Sequence, residues 1–277
     1  MIDMKYAGKI IHMKKDLLVR RNADEIAGGI EEIRKLSVSR RNFLQGAAVL
    51  LGGTVFSGLI GGTPSAFADE AVETGKFILP RLQFTVTDNT PDRWDVSLGG
   101  DIILRRKLRE LTNINVSMEP KVVRLGDFDE MVRNPFVFMT SEGHFKLPEN
   151  EEKNVREFLE RGGFILADDC VYKGKEDRFF KAYLELVNRL FPDNPMRKIP
   201  YDNEIYHIYY DFTNGCPHMQ GVPNGAYGLF EPGTGRIMTW CSPGDIHCGW
   251  CNRFWAPEKN MEAIKMGINI IIYFLSH

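Results

Sequence analysis

From Phe77 to the end of the chain, apolar residues switch repeatedly between short continuous runs and a helical spacing. Residues 82–87, 114–118, 135–140, 163–167 and 236–241 are brief runs dominated by apolar side chains, the pattern of buried strands. Between them, Leu104, Leu108 and Leu111, then Val155, Phe158 and Leu159, recur at the 3.6-residue period of an amphipathic helix. Phe180, Tyr183, Leu184, Val187 and Leu190 mark another helix, which Pro192 stops, and Pro257 opens a last one with Met261, Ile264, Ile268, Ile271, Ile272 and Leu275 turned inward. The helix after Pro148 is the best marked: Glu149, Glu151 and Glu152 crowd its first turn and Gly162 follows its end, as the helix dipole and glycine C-caps favour.

Strands alternating with helices predict an α/β fold, a mainly parallel open sheet with helices on both faces. Residues 69–277 are expected to form a single such domain. The stretch 201–235 breaks the pattern, being rich in Tyr, Pro, Gly and Asn, and is expected to be a loop-rich insertion or a strand-loop excursion over the edge of the sheet. The segment from Arg161 to Cys170 reads as the central strand, because a glycine pair leads into an apolar run that ends on Asp168, Asp169 and Cys170.

The N-terminal portion has a different character. Ser39-Arg40-Arg41-Asn42-Phe43-Leu44-Gln45 is followed by an uncharged, glycine-studded stretch that lasts to Ala68 and closes on Ala66-Phe67-Ala68. Arg40 and Arg41, a weakly hydrophobic core and an A-x-A box predict a twin-arginine (Tat) signal peptide over 39–68, cleaved after Ala68. Gln45 stands where a basic residue is usual. Without cleavage, the same uncharged run is long enough to anchor the chain in a bilayer. Residues 1–38 are an extended n-region, or else translation starts at Met4 or Met13. The expected location is therefore periplasmic or otherwise extracytoplasmic, with the Tat translocation machinery as a partner.

Composition adds one constraint. The 277 residues are 43% hydrophobic and 26% charged, with a net charge of −2. Residues 1–68 hold ten Lys/Arg against six Asp/Glu, so the remainder is acidic by six charges. An acidic body with no basic stripe argues against a nucleic-acid partner.

Sequence motifs with a known mechanism are missing: there is no G-x-x-x-x-G-K-[ST], no G-x-G-x-x-G after a strand, no H-E-x-x-H and no G-x-S-x-G. What remains is position. Parallel strands end on one edge, so Asp88, Ser141, His144, Asp168, Asp169, Cys170, Asp245 and His247 should converge there. Carboxylates and imidazoles so gathered could hold a divalent metal or act as an acid/base pair. Alternatively, Asp168 caps a turn, Asp245 pins the Pro243-Gly244 turn and His144 makes one backbone hydrogen bond.

Cys248-Gly249-Trp250-Cys251 is a C-x-x-C. With Cys216 and Cys241 it could form a metal site, although a second C-x-x-C is lacking. A structural disulfide, free thiols or a redox pair are the alternatives, and the redox reading lacks a helix before Pro257 to activate a thiol. Cys170 is expected to be unpaired, a nucleophile only beside a base such as His144 or His207. Tyr206, Tyr209, Tyr210, Trp240, Trp250 and Trp255 are core aromatics or the walls of a pocket for flat ligands.

Several of these stretches occur together in one family. They are Phe77–Pro80-Arg81, Pro135–Thr140 running into Gly143-His144, Gly162 through Asp169, Ile205-Tyr206-His207, Gly235 through Gly249-Trp250, and Lys265 through Tyr273. In them the chain resembles the bacterial domain of unknown function 4159 family, from Phe77 to the end. The resemblance implies a flavodoxin-like, class I glutamine-amidotransferase-like fold. It also implies a pocket using Gly143, His144, Asp168, Asp169, His207 and Asp245, and no reaction; the strand-end positions add Asp88, and Trp250 is a further ligand-binding candidate. Amidotransferases carry their nucleophile in a G-x-C-x-G elbow, whereas Asp169 precedes Cys170 and Val171-Tyr172 follow it, so glutaminase activity is not expected.

Three functions are in view, the first preferred. The first is an exported ligand-binding or envelope-assembly module with a protein or saccharide ligand at the carboxyl edge. The second is a metal-dependent or acid/base hydrolase of an envelope saccharide or amide, with Asp168, Asp169, His144 and His207 catalytic and His207, Asp169 and Asp245 the metal ligands. The third is a thiol-disulfide protein using Cys248 and Cys251.

Overall fold

The fold is built around two strands that are buried along their whole length, β3 (Phe136–Ser141) and β4 (Phe164–Asp169). A computed structural model describes residues 75–86, 93–171, 173 and 176–277. Within it a seven-stranded sheet runs in the order β2-β1-β3-β4-β7-β6-β5. The other strands are β1 (Pro80–Gln83), β2 (Lys121–Arg124), β5 (Arg197–Lys198), β6 (Tyr227–Phe230) and β7 (Ile237–Ser242). β2, β1, β3, β4 and β7 are parallel, while β6 and β5 add antiparallel pairings at one edge. This is the open α/β sheet expected, of the flavodoxin-like kind, with β4 at its centre.

Among the described residues, six helices cover the sheet: α1 (Leu98–Leu111), α2 (Phe128–Arg133), α3 (Glu149–Glu160), α4 (Arg178–Leu190), α5 (Ile246–Trp250) and α6 (Pro257–Ser276). Strand side chains alternate between the faces, so each strand feeds two cores. Leu82, Val137, Met139, Ile165 and Ala167 pack with Met131 of α2, Val155, Phe158 and Leu159 of α3, and Phe179, Tyr183 and Val187 of α4. On the opposite face Phe136, Phe164 and Phe274 of α6 form a ring cluster, and Phe138 meets Trp250 of α5 with centroids 5.0 Å apart. Burying each of these large apolar side chains contributes about 1.5–3 kcal/mol.

Four elements differ from the sequence reading. Residues 114–118 form only an isolated bridge, Val116 to Phe77, and the outer strand is 121–124 instead. Its charged ends, Lys121 and Arg124, conceal it as an apolar run. The insertion 201–235 carries β6, whose four residues pair with β7 despite the Pro- and Gly-rich flanks. α2 was not anticipated; it is short and is capped by Asp127, whose side chain accepts from Glu130 N at 3.0 Å. α5 also begins earlier than any helix expected in that region, capped by Asp245.

Candidate functional site

The sheet register sets the carboxyl edge. Thr140 pairs with Asp168 and Asp168 with Ser242, which places the three side by side on β3, β4 and β7. One residue further, Ser141 pairs with Asp169. Because successive side chains point to opposite faces, Asp168 and Asp169 part company. Asp168 Oδ2 accepts from His247 N at 2.8 Å on the α5 face, and Asp169 Oδ2 accepts from Phe180 N at 2.8 Å on the α4 face. Both are fully buried. Burial lifts the Asp168 carboxyl well above its ordinary range, and the neighbouring Asp245 pushes it further. Burial likewise raises Asp169.

The α5 face carries a connected polar group. Asp245 caps α5, with Oδ1 accepting from Cys248 N and Oδ2 from Val171 N, each at 3.3 Å, and with Gln220 Nε2 donating to Oδ2 as well. Burial raises its carboxyl, and these donors offset part of the rise. Two residues on, His247 lies against a buried ion pair: Arg81 Nη2 donates to Asp101 Oδ1 at 2.6 Å and reaches His247 Nε2 at 3.0 Å. Arg81 also donates to the Trp94 and Val96 carbonyls at 2.8 and 2.9 Å and lies over the Phe138 ring. Burial opposes ionisation of Asp101, yet the Arg81 guanidinium and His247 outweigh it and hold that carboxyl low. Burial lowers His247, toward the neutral imidazole. Its Nε2 stands between Arg81 Nη2, a donor at 3.0 Å, and Asp101 Oδ1, an acceptor at 3.3 Å, so either ring tautomer finds a partner there. The ring fits because Gly100 of α1 has no side chain; a Cβ there would stand 3.2 Å from Nε2.

Among the polar atoms on this face with no hydrogen-bond partner among the described residues are Thr140 Oγ1, Asp168 Oδ1 and His247 Nδ1. Buried polar atoms are nearly always satisfied, by protein, water or ligand. Thr140 and Asp168 are register partners, and His247 is bonded to Asp168 through its backbone, so the three belong to one locality.

The thiols are distributed unexpectedly. Cys170 Sγ lies 3.9 Å from Cys248 Sγ, packed with Val96 and Trp255. Cys251 Sγ instead donates toward His247 O, and Cys216 toward Pro217 O and Ser242 Oγ. Cys241 points into the α4-side core. The four-cysteine site of Cys216, Cys241, Cys248 and Cys251 is therefore not assembled. The hydrogen bond with Cys170, then burial, raises the Cys248 thiol, and burial pushes Cys251 up to about 11. A thiol held protonated is a poor nucleophile, which weighs against redox or nucleophilic use despite the α5 helix.

Other expected site residues lie elsewhere. His207 is exposed, with Nδ1 bonded to Asp211 and Nε2 2.8 Å from Tyr201 O, in a segment whose Tyr209 hydroxyl donates to Leu111 O at the end of α1. The metal set His207, Asp169 and Asp245 is therefore not brought together: His207 is exposed, and the two carboxylates face opposite sides of the sheet. His144 is exposed and lines a cavity of about 190 Å³ with Leu147, Glu185 and Arg189, which contains neither strand-end carboxylate. Gly143 donates its N–H to Ser141 Oγ at 3.2 Å. Trp250 is core, its Nε1 donating to Ala263 O at 3.0 Å. Asp88, Arg40, Arg41, Ala66 and Ala68 lie outside the described residues. Sequence reasoning missed Arg81, Asp101 and Thr140. The available signal was Asp101 on the same helical stripe as Leu104 and Leu108, where a charge must have a buried partner.

Among curated proteins, none matches the chain. The family model described as Domain of unknown function (DUF4159) matches residues 81–275, from the buried Arg81 to the end of α6. The match spans every strand but the first residue of β1, together with both halves of the carboxyl-edge cluster, and the chain belongs to that family.

Proposed function

We propose that the protein is a ligand-binding module of the cell envelope, delivered by the Tat machinery, that holds a small neutral polar ligand at the carboxyl edge of its sheet. The observation that carries this reading is the trio Thr140 Oγ1, Asp168 Oδ1 and His247 Nδ1, three buried polar atoms in one locality with no hydrogen-bond partner among the described residues. Their chemistry favours a neutral ligand. Burial shifts the Asp168 carboxyl up and His247 down, both toward their neutral forms, so hydroxyl or amide groups, as in a saccharide, suit the site. A charged ligand would lose its hydration with no opposite charge to meet it. The Tat-type leader supports the envelope as the setting, and the open sheet supports kinship with class I glutamine-amidotransferase-like folds. The hydrolase reading has less support, since His144 and His207 stand apart from the carboxyl groups they would serve.

A thermal-shift panel of neutral sugars, amino sugars and small amides tests the reading on the full chain and on Thr140→Val. At least one compound should raise the melting temperature of the wild type. The variant removes one hydrogen-bonding hydroxyl at near-constant shape, and should bind that compound about tenfold more weakly. No response from any compound, or equal responses from both proteins, would contradict the proposal.

A further inference from the structure

Three donor atoms on the α5 face come from two separate turns of chain. Cys170 follows β4 directly, while Asp245 and Cys248 occupy the cap and first turn of α5. One atom from each, two sulfurs and a carboxylate oxygen, lie within 4.8 Å of one another, and all three residues are buried. We propose that Cys170, Asp245 and Cys248 form a binding site for a thiophilic divalent cation, of which Zn²⁺ is the model.

The separation of the sulfurs argues for a shared ion. A tetrahedral zinc with Zn–S bonds of about 2.3 Å holds two thiolates roughly 3.8 Å apart. The observed separation is 3.9 Å. A disulfide would need the sulfurs at about 2.05 Å, and here they stand 3.9 Å apart. Two thiolates and one carboxylate exclude hard cations such as Ca²⁺ and Mg²⁺, which take all-oxygen sites. The second coordination sphere is also in place. Val171 N and Gln220 Nε2 donate to Asp245 Oδ2, and Cys248 N donates to Oδ1, which fixes the carboxylate's orientation. Loading the ion releases the two thiol protons, and that of Asp245 where it is protonated, to solvent.

Three protein donors leave the fourth tetrahedral position to an outside group. Asp245 and Cys248 flank His247 in α5, so an ion held there would lie in the neighbourhood of the polar trio and could meet the ligand. This last step rests on the proposed binding function; ion binding does not.

Cobalt replaces zinc as a visible probe. Full-length reduced protein, freed of metal with a chelator and dialysed, should take up one equivalent of Co²⁺ with a sulfur-to-cobalt charge-transfer band in the near ultraviolet, and one equivalent of Zn²⁺ should abolish it. Cys170→Ser and Cys248→Ser should each lose most of the band, while Cys216→Ser and Cys251→Ser keep it. Should the first two variants fail to fold, alkylation of the wild type decides the matter: Zn²⁺ should slow labelling of Cys170 and Cys248, mapped by peptide mass, by at least tenfold. A missing band, a band that survives loss of Cys170 or Cys248, or a Cys170–Cys248 cross-link in protein isolated without reductant would overturn the site. Thr140→Val should leave the cobalt band unchanged, so failure of the ion site and failure of the organic-ligand site read out separately.

Discussion

At the scale of single residues, the site is held by one buried cation. Arg81 is almost fully enclosed, and its guanidinium serves Asp101, His247 and two backbone carbonyls at once. Removing it leaves the Asp101 carboxylate and the Trp94 and Val96 carbonyls without their donor in a dry interior. Arg81→Met should therefore cost about 3–5 kcal/mol in chemical denaturation, the range for breaking one side of a buried pair. Arg156→Ala, which removes an exposed helical pair with Glu160, should cost at most about 0.5 kcal/mol. Equal costs would mean that Arg81 is not the organising charge. His207 makes a different prediction. Its backbone bond to Tyr201 O and its bond to Asp211 both favour the protonated ring, raising it above the ordinary 6.5. A raised imidazole contributes stability that is full below the unfolded value and fades as pH rises through the folded one. The melting temperature lost in His207→Gln should thus be larger at about pH 6 than at about pH 9, and a pH-independent difference would refute the paired, protonated ring. Neither residue's role is written locally. An arginine within a short strand and a histidine in a polar loop look alike until tertiary neighbours are known.

At the scale of elements, α5 carries His247 and Cys248 behind its Asp245 cap, and it is the element most easily overlooked. Its five residues are too few for a periodic signal, and its sequence reads as a C-x-x-C motif before it reads as a helix. What makes it possible is Gly249, where a Cβ would come within 2.4 Å of the Ala263 Cβ on α6. Alanine favours helix over glycine by about 1 kcal/mol, yet the two backbones would have to move apart. Gly249→Ala should therefore destabilise the fold by about 1–3 kcal/mol net in denaturant titration; a stabilised variant would show the packing to be slack. The longer elements were legible, because β3, β4, α3, α4 and α6 bury enough apolar residues to show their period. The edge strands β2 and β5, and β6 beside β5, were not, since exposed or glycine-bearing strands carry no continuous apolar run. The candidate site was legible as an edge and not as a set: alternation along β4 sends Asp168 and Asp169 to opposite faces, which adjacent carboxylates in a sequence do not reveal.

For the whole molecule, the claim beyond the fold is a location and a task. The twin arginines and the Ala66-Phe67-Ala68 box give the location a direct readout. N-terminal sequencing of the exported protein should begin at Asp69, and an Arg40→Lys, Arg41→Lys double variant should remain in the cytoplasm. A mature start upstream of Ala68, or unchanged export, would refute the leader. Among the described residues no helix is long and apolar enough to cross a membrane. The task rests on the carboxyl edge. The most direct measurement is a crystal structure of the full chain grown with the panel compound that gives the largest thermal shift. The account predicts a polar atom of that compound within hydrogen-bonding distance of Thr140 Oγ1, Asp168 Oδ1 or His247 Nδ1. The compound bound elsewhere, with only water against those three atoms, would contradict it.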